Sequence, residues 1–285
     1  MAREAARRTN AGAAYTRNLT ALGQFVHNGW MPFTVSHAAA ALPLRRARLV
    51  TSALVVGTMA PDFEYFLPLQ AHDHFGHTFP GILVLTLPVA LLVLWIFHTF
   101  VKVSAAALLP RRLQSRLAGY LGKFRFGGPG RFLLIVLSIL VGIATHILWD
   151  SFTHAGTYPY VHWSLLRQSV DVPVLGTMPV VKLLQHGSTI LGLVILSIWL
   201  FRWYRVCAPC RHRFRDVLSP GLRNRILAVG IALAVLGGVA RALWGIGIPT
   251  DHTWRHFTGE VVVTSMALAW WQLVGYGILA SKRQR

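Results

Sequence analysis

Histidine and aspartate side chains concentrate in four short segments of the chain, residues 36–37, 60–64, 72–78 and 145–154. The last segment holds His146, Asp150 and His154 at intervals of four residues. Because a step of four residues turns an α-helix by only about 40°, these side chains are predicted to form one stripe on a helix face. Imidazole and carboxylate groups on adjacent turns can chelate a divalent ion, and a central Asp150 can bridge two.

Each of these segments also has a plain structural interpretation. A histidine on a helix is often packed and hydrogen-bonded, residues 61–64 can be a helix-end turn with a capping acid, and residues 72–78 can be a solvated loop. Ionisable groups at a membrane boundary are nevertheless costly and usually functional or paired. A shared metal site explains the four segments together better. Mixed histidine and carboxylate ligands without cysteine favour zinc, with manganese and iron as alternatives.

The elements that must position these side chains are membrane-spanning helices. The chain is 54% hydrophobic and 13% charged, against roughly 25% charged in soluble domains. A bilayer core of roughly 30 Å needs about 20 apolar residues in a helix. The sequence predicts an all-α, polytopic membrane helical bundle of about six transmembrane helices, at residues 49–69, 82–100, 132–149, 183–201, 226–247 and 261–280. The first span is expected to be interrupted at Pro61, since proline breaks the helical hydrogen-bond ladder.

The distribution of basic residues predicts the orientation of this bundle. Residues 102–131 hold seven Lys and Arg, residues 202–225 hold seven Arg, and 24 of the 28 cations fall on one side of a six-span arrangement. The positive-inside rule makes that side cytoplasmic, with both termini cytoplasmic. The basic runs lie between apolar stretches and not on a soluble fold, so no nucleic acid is expected as a partner. The expected partners are the lipid bilayer and, at the basic loops, anionic lipid headgroups.

Three regions make up the expected domain organisation. Residues 1–30 are predicted to be a basic disordered N-terminal tail, residues 31–281 a membrane-embedded helical domain, and residues 282–285 a basic cytoplasmic tail. Residues 1–20 lack an apolar segment and are not a signal peptide. Whether translation starts at Met1 or Met31 stays open. Cys207 and Cys210 are interpreted as reduced thiols in a cytoplasmic loop, with half a metal site or a redox pair as the alternative.

Three short motifs carry a resemblance to a known family. They are Met31-Pro32-Phe33-Thr34-Val35-Ser36-His37-Ala38-Ala39, Gly57-Thr58-Met59-Ala60-Pro61-Asp62 and Gly76-His77-Thr78-Phe79-Pro80-Gly81. Together they resemble a bacterial membrane family that is classed as a domain of unknown function and typically opens with MPFT-x-SHAA. The resemblance covers residues 31–280 and favours Met31 as the start. It implies a multi-pass protein of the bacterial cytoplasmic (inner) membrane.

Two more distant resemblances concern chemistry. The order of motifs is similar to that of the inner-membrane metal-dependent hydrolase family, although the His-Arg-Gly-x-Thr-His-Ser run of that family is replaced in residues 72–78, so only His77 carries over there. The ligand order is also similar to that of zinc-dependent phospholipase C. That similarity implies six metal ligands: His37, Asp62, His77, His146, Asp150 and His154.

His37 is difficult to place in this arrangement. It precedes Arg45, Arg46 and Arg48, which puts it inside, whereas the other ligands lie outside. Either residues 34–44 form a short re-entrant helix that dips into the bundle, or His37 is structural and the site has five ligands. The sequence leaves both alternatives open.

The expected function is that of a membrane-embedded, metal-dependent hydrolase acting on a lipid or phosphoester substrate. Glu64 is the candidate general base, because it lies two residues from the proposed ligand Asp62. The alternatives are a metal-ion or proton transporter that uses the same cluster and a non-catalytic membrane scaffold. Asp251, His252 and His256 are interpreted as an exposed polar loop, with completion of the site as the alternative.

Overall fold

The computed structural model describes residues 34–66, 75–173, 176–210, 218–250 and 253–283. The predicted N-terminal tail, residues 72–74, Asp251 and His252 lie outside these ranges. The described chain is helical apart from one antiparallel pair of strands, β1 (Ser169–Val172) and β2 (Gly176–Pro179). The α-helices are α1 (Ala41–Leu44), α2 (Thr51–Gly57), α3 (Phe79–Ala107, with two π-helical stretches), α4 (Arg111–Leu117), α5 (Pro129–Thr153), α6 (Tyr158–His162), α7 (Ser164–Arg167), α8 (Val180–Val206), α9 (Pro220–Ile246) and α10 (Trp254–Arg283). Short 3₁₀ helices cover Thr34–Ala40, Ala60–Phe66, Phe75–His77 and Ala118–Tyr120.

Five helices in the described part of the chain are long and apolar enough to cross a membrane, namely α3, α5, α8, α9 and α10. They confirm an all-α polytopic bundle and correspond to five of the predicted spans. The predicted span at residues 49–69 differs. It contains the seven residues of α2 and then a seven-residue 3₁₀ helix. Pro61 lies in that 3₁₀ helix, so the expected interruption is present, but the segment has no helix of spanning length.

The bundle has two distinct ends. The two basic loops meet at one of them, called the basic end below, where Arg116 Nε donates to the Tyr204 carbonyl at 3.0 Å and the Cys210 amide donates to the Ser115 carbonyl at 2.9 Å. Cys207 and Cys210 are free thiols in this packed loop. At the other end, called the site end, α5 terminates and α3 begins, next to His77.

Residues 34–66 form a helical hairpin that enters the bundle from the site end. Its first arm contains α1 and its second arm contains α2. The arms are joined at the site end by Thr34, whose Oγ1 donates to Asp62 Oδ2 at 2.7 Å. At the tip, the Val50 amide donates to Ser138 Oγ at 2.9 Å. Ser138 precedes Asp150 by twelve residues on α5, so the tip lies roughly 18 Å from the site end. The hairpin therefore returns to the level at which it started.

Glycines allow the hairpin to pack against the spanning helices. A Cβ on Gly57 would lie 2.3 Å from the Ile139 carbonyl oxygen, and one on Gly142 would lie 2.5 Å from that of Leu54. α2 and α5 are thus in backbone contact, as small residues permit between membrane helices. On the other arm, a Cβ on Gly192 of α8 would lie 2.8 Å from the Ser36 carbonyl oxygen. These close approaches fix the hairpin between α5 and α8.

Candidate metal centre

Four side chains converge where the hairpin meets the spanning helices. Asp62, His77, His146 and Asp150 each offer one ligand atom, and these atoms all lie within 4.8 Å of one another. Asp62 comes from the second arm of the hairpin, and His146 and Asp150 come from successive turns of α5. His77 lies two residues before α3, whose first turn is capped by Thr78, and Thr78 Oγ1 accepts from the Gly81 amide at 3.1 Å. Three separate parts of the chain therefore supply the cluster.

The separations within this four-residue cluster match the size of a metal coordination shell. His146 Nε2 lies 3.0 Å from Asp150 Oδ2 and 3.5 Å from Asp62 Oδ1. His77 Nε2 lies 3.8 Å from the same Asp62 oxygen and 3.9 Å from the same Asp150 oxygen. Four ligands at the usual zinc distances stand roughly 3.3 Å apart at the corners of a tetrahedron. Small movements would bring all four atoms within bonding distance of one ion.

The cluster is largely removed from solvent. His146 is 0% exposed, Asp62 4% and Asp150 8%. Burying a carboxylate without compensation costs several kcal/mol, so buried carboxylates are normally paired or bound to metals. Two carboxylates this deep and this close together require positive charge between them.

His146 has its two ring nitrogens in different environments. Nδ1 lies 2.9 Å from the carbonyl oxygen of Thr58, which can only accept, so Nδ1 carries a proton. Nε2 is buried, has no hydrogen-bond partner, and faces the oxygens of Asp62 and Asp150. In the neutral imidazole this nitrogen has a lone pair directed at two carboxylates. That arrangement suits a metal ligand whose second nitrogen is anchored to the backbone.

His77 repeats this arrangement with a carboxylate as its anchor. Its Nδ1 lies 3.4 Å from Glu64 Oε1, and its Nε2 points to Asp62 and Asp150. Glu64 Oε2 accepts from the Gly76 amide at 2.8 Å. Burial lowers the pKa of His77 below its ordinary value, and the raising effect of Asp62 does not reverse the shift. The neutral ring, which is the form that binds metals, is therefore favoured.

His37 and His154, the other two predicted ligands, face the second oxygen of Asp150. His37 Nε2 lies 3.5 Å and His154 Nδ1 3.7 Å from Asp150 Oδ1. The His37 ring stacks on that of His146, with centroids 4.1 Å apart. The hairpin thus resolves the topological difficulty of His37, which lies at the cluster on a segment that dips into the bundle. Both histidines stand beside the four-residue cluster and not within it.

The helical stripe predicted for residues 146–154 ends one residue early. α5 terminates at Thr153, and His154 has an extended backbone with φ −119° and ψ 144°. Gly156 follows with a φ of 82°, a left-handed conformation that favours glycine, in the turn after the helix. His146 and Asp150 are neighbours on the helix as predicted, whereas His154 reaches Asp150 from outside it.

Two residues at the site were missed from the sequence. Gln185, 2% exposed on α8, has its Nε2 3.1 Å from His154 Nε2. Lys182 Nζ donates to Gln185 Oε1 at 2.8 Å. The sequence does contain one indication of Gln185. It is a glutamine near the start of a predicted apolar span, where a polar side chain needs a partner. His256, interpreted from the sequence as part of an exposed polar loop with completion of the site as the alternative, is exposed on α10 and is not one of the four clustered residues.

Comparisons with known proteins give one match. A family model described as "Domain of unknown function (DUF4184)" matches residues 31–278. No curated protein and no solved structure matches the chain. Because the match covers most of the sequence, the chain belongs to the DUF4184 family, a domain of unknown function.

Proposed function

We propose that this protein is a membrane-embedded metal-dependent hydrolase, with zinc held by Asp62, His77, His146 and Asp150. The observation that carries the proposal is the buried Nε2 of His146, which faces two carboxylates while its Nδ1 is committed to the Thr58 carbonyl. A divalent cation among these atoms would remove the repulsion between the two carboxylates. It would also accept the lone pair of His146 Nε2. Zinc accepts this mixture of imidazole and carboxylate, and manganese and iron are the alternatives.

Hydrolysis requires coordination positions that the protein does not fill. Four protein ligands leave one position in five-coordinate zinc and two in an octahedral ion. A bound ion of this kind lowers the pKa of water toward about 7 and polarises a phosphoryl or acyl oxygen. The chain's own contribution is to hold the four ligands, anchor His146 on the Thr58 carbonyl and His77 beside Glu64, and exclude bulk water from the buried side of the cluster.

The surroundings of the site favour a lipid or lipid-linked phosphoester as substrate. The cluster lies at the end of spanning helices, and the segments that begin α3 and follow α5 at this end carry exposed aromatic side chains, with Phe79 77%, Tyr158 74% and Trp163 54% exposed. Aromatic residues are enriched where a membrane meets water. A substrate with an apolar tail in the bilayer and a polar headgroup at the cluster fits this location.

The packing beneath the cluster favours hydrolysis over transport. Between the cluster and the basic end lie Leu54 and Ile139, both 0% exposed, and Ile143, 2% exposed. α2 and α5 are in backbone contact at the same level. A transport path needs polar groups at several depths, whereas these side chains are apolar and the buried hydroxyl of Ser138 beside them is bonded to backbone groups.

Metal content of the full-length protein, purified in detergent and measured by mass spectrometry, tests the proposal. We expect about one equivalent of zinc, and its loss in a His146→Ala, Asp150→Ala double variant. His162→Ala is the matched control, because His162 is exposed, bonds the Tyr158 carbonyl and lies outside the cluster. A folded wild-type protein without metal, even after incubation with zinc, manganese or iron, would overturn the proposal. His146 would then be doubly protonated and ion-paired with the carboxylates.

Hydrolytic activity is measured on the same preparations. Phospholipids in mixed micelles and a soluble phosphodiester separate a lipid preference from general phosphodiesterase activity. We expect turnover of the lipid that depends on the ion and is absent in the double variant. Retention of the ion without turnover of any phosphoester or acyl ester would contradict the hydrolase assignment and leave a metal-binding scaffold.

A further inference from the structure

The side chains of Lys182, Gln185 and His154 form a chain of hydrogen bonds that ends at Asp150. Lys182 Nζ lies 2.8 Å from Gln185 Oε1, and Gln185 Nε2 lies 3.1 Å from His154 Nε2. On the far side of the ring, His154 Nδ1 lies 3.3 Å from the Asp150 carbonyl oxygen and 3.7 Å from Asp150 Oδ1. This polar chain includes Gln185, which is 2% exposed on an apolar spanning helix. Gln185 is not one of the four proposed metal ligands, so the polar chain needs an explanation of its own.

The donor and acceptor chemistry of this chain fixes the position of one proton. A lysine ammonium can only donate, so the Gln185 atom that faces Lys182 is the carbonyl oxygen. The amide nitrogen of Gln185 then faces His154 and donates to its Nε2. His154 Nε2 therefore has no proton, and the proton of the neutral ring is on Nδ1. The Asp150 carbonyl, an acceptor 3.3 Å from Nδ1, agrees with this assignment. The Thr153 hydroxyl, also 3.3 Å from Nδ1, can accept from it because the hydroxyl proton is directed to the Trp149 carbonyl.

We propose that Lys182 and Gln185 are positioning residues that hold His154 with its proton on Nδ1, so that His154 donates toward Asp150 and is not a metal ligand. The hydrogen bonds that fix the tautomer do not depend on the proposed metal centre, whereas the effect on metal binding rests on it. A protonated Nδ1 has no lone pair to offer an ion, and Nε2 is occupied by Gln185. His37 Nε2 is then the remaining nitrogen near Asp150 Oδ1. A single imidazole and one carboxylate oxygen are too few ligands for a second ion.

The consequence is a site for one ion, with the two oxygens of Asp150 in different roles. Oδ2 faces His77 and His146 and binds the ion, whereas Oδ1 faces His37 and His154. Carboxylate ligands that are hydrogen-bonded in this way are oriented by those bonds, and losing such a partner typically costs 10–100-fold in metal affinity. The alternative in which Asp150 bridges two ions requires the opposite tautomer of His154.

The substitution Gln185→Glu tests the proposal with almost no change in shape. A carboxylate at this position still accepts from Lys182, but it can only accept from His154 as well. Both nitrogens of the His154 ring then face acceptors, so the ring takes up a second proton on Nε2 and keeps the proton on Nδ1. Lys182→Met is the second variant, because it frees the Gln185 amide to rotate. Lys102→Met is its control, since Lys102 bonds the Gly122 carbonyl at the basic end.

The direct readout is the tautomer of His154, measured by ¹H–¹⁵N correlation spectroscopy on metal-free full-length protein labelled with ¹⁵N-histidine. The His154 signals are identified by their loss in His154→Gln. We expect a protonated Nδ1 and a bare Nε2 in the wild type, and protons on both nitrogens in Gln185→Glu. A wild-type ring that is protonated on Nε2, or on both nitrogens, would overturn the proposal whether or not the protein binds metal.

The second readout is metal affinity, from competition with a chromogenic chelator. We expect about tenfold weaker binding in Gln185→Glu, because an imidazolium beside Asp150 repels the ion, an unchanged affinity in Lys102→Met, and one ion per wild-type chain. Two ions per chain, or a bound ion on His154 Nδ1, would contradict the inference while supporting the metal centre. Failure of the metal centre itself would instead appear as no metal with the expected His154 tautomer.

Discussion

Thr34 and Asp62 stand 28 positions apart in the sequence, and the Thr34 hydroxyl donates to Asp62 Oδ2 over 2.7 Å. This bond joins the two arms of the hairpin at the point where Asp62 turns its other oxygen, Oδ1, toward His77 and His146. Oδ2 of Asp62 thus holds the two arms of the hairpin together, and Oδ1 belongs to the cluster. The hydroxyl orients the proposed ligand in the way that outer hydrogen bonds commonly do.

Replacing Thr34 with Val should weaken metal binding without removing it. Valine has nearly the same shape and lacks the hydroxyl, so Asp62 loses the donor that fixes its orientation. We expect about tenfold weaker zinc binding, measured by chelator competition. Thr34→Ser keeps the hydroxyl and should bind like the wild type. Equal affinity in the valine and serine variants would show that the bond does not orient Asp62.

The spanning helices could be predicted from the sequence because their signal is local. About 20 consecutive apolar residues are sufficient to span a bilayer as a helix, and five of the six predicted spans have a long helix. The hairpin could not be predicted in the same way. Its helices are short, with seven residues in α2, and its path depends on contacts such as that between Gly142 and Leu54, which are distant in sequence.

The residue types of the candidate site could be predicted from the sequence. Which residues form the cluster and which flank it could not. His146 and Asp150 lie one helical turn apart, so their proximity followed from their spacing. The division between the four-residue cluster and the flanking pair of His37 and His154 depends on the end of α5 at Thr153 and on Gln185 from another helix. Neither the end of α5 nor the approach of α8 can be predicted from the spacing of residues along the sequence.

A methyl group at Gly142 should destabilise the protein. The added Cβ would lie 2.5 Å from the Leu54 carbonyl and 2.6 Å from the Thr58 nitrogen, so α2 must move away from α5. Overpacking of this kind costs about 1–3 kcal/mol. Gly142→Ala should lower the melting temperature in detergent and weaken zinc retention, since Thr58 anchors His146.

The control for this substitution is Gly187→Ala on α8, where an added Cβ meets nothing within 4 Å. It should be neutral or slightly stabilising, because alanine has the higher helix propensity. If both alanine variants melt at the wild-type temperature, the close packing of α2 on α5 does not limit stability.

Removal of the ion should lower thermal stability. A ligand that binds only the folded state stabilises it by about 4 kcal/mol when present at a thousand times its dissociation constant. Stripping the ion also leaves Asp62 and Asp150 without the proposed positive charge between them. We expect a chelator to lower the melting temperature and added zinc to restore it. The His146→Ala, Asp150→Ala variant should show neither change, and a chelator effect of equal size in that variant would place the responsible ion elsewhere.

Replacing Glu64 with Gln distinguishes two roles for this carboxylate, the general base expected from the sequence and an orienting partner of His77. Glu64 faces two groups, the Gly76 amide at 2.8 Å and His77 Nδ1 at 3.4 Å. Glutamine has one acceptor oxygen in place of two, so one of these contacts must be lost. We therefore expect about tenfold weaker zinc binding and normal turnover once zinc is saturating. Unchanged zinc affinity with abolished turnover would instead identify Glu64 as the general base. Glu260→Gln, at an acid of α10 outside the cluster, should alter neither quantity.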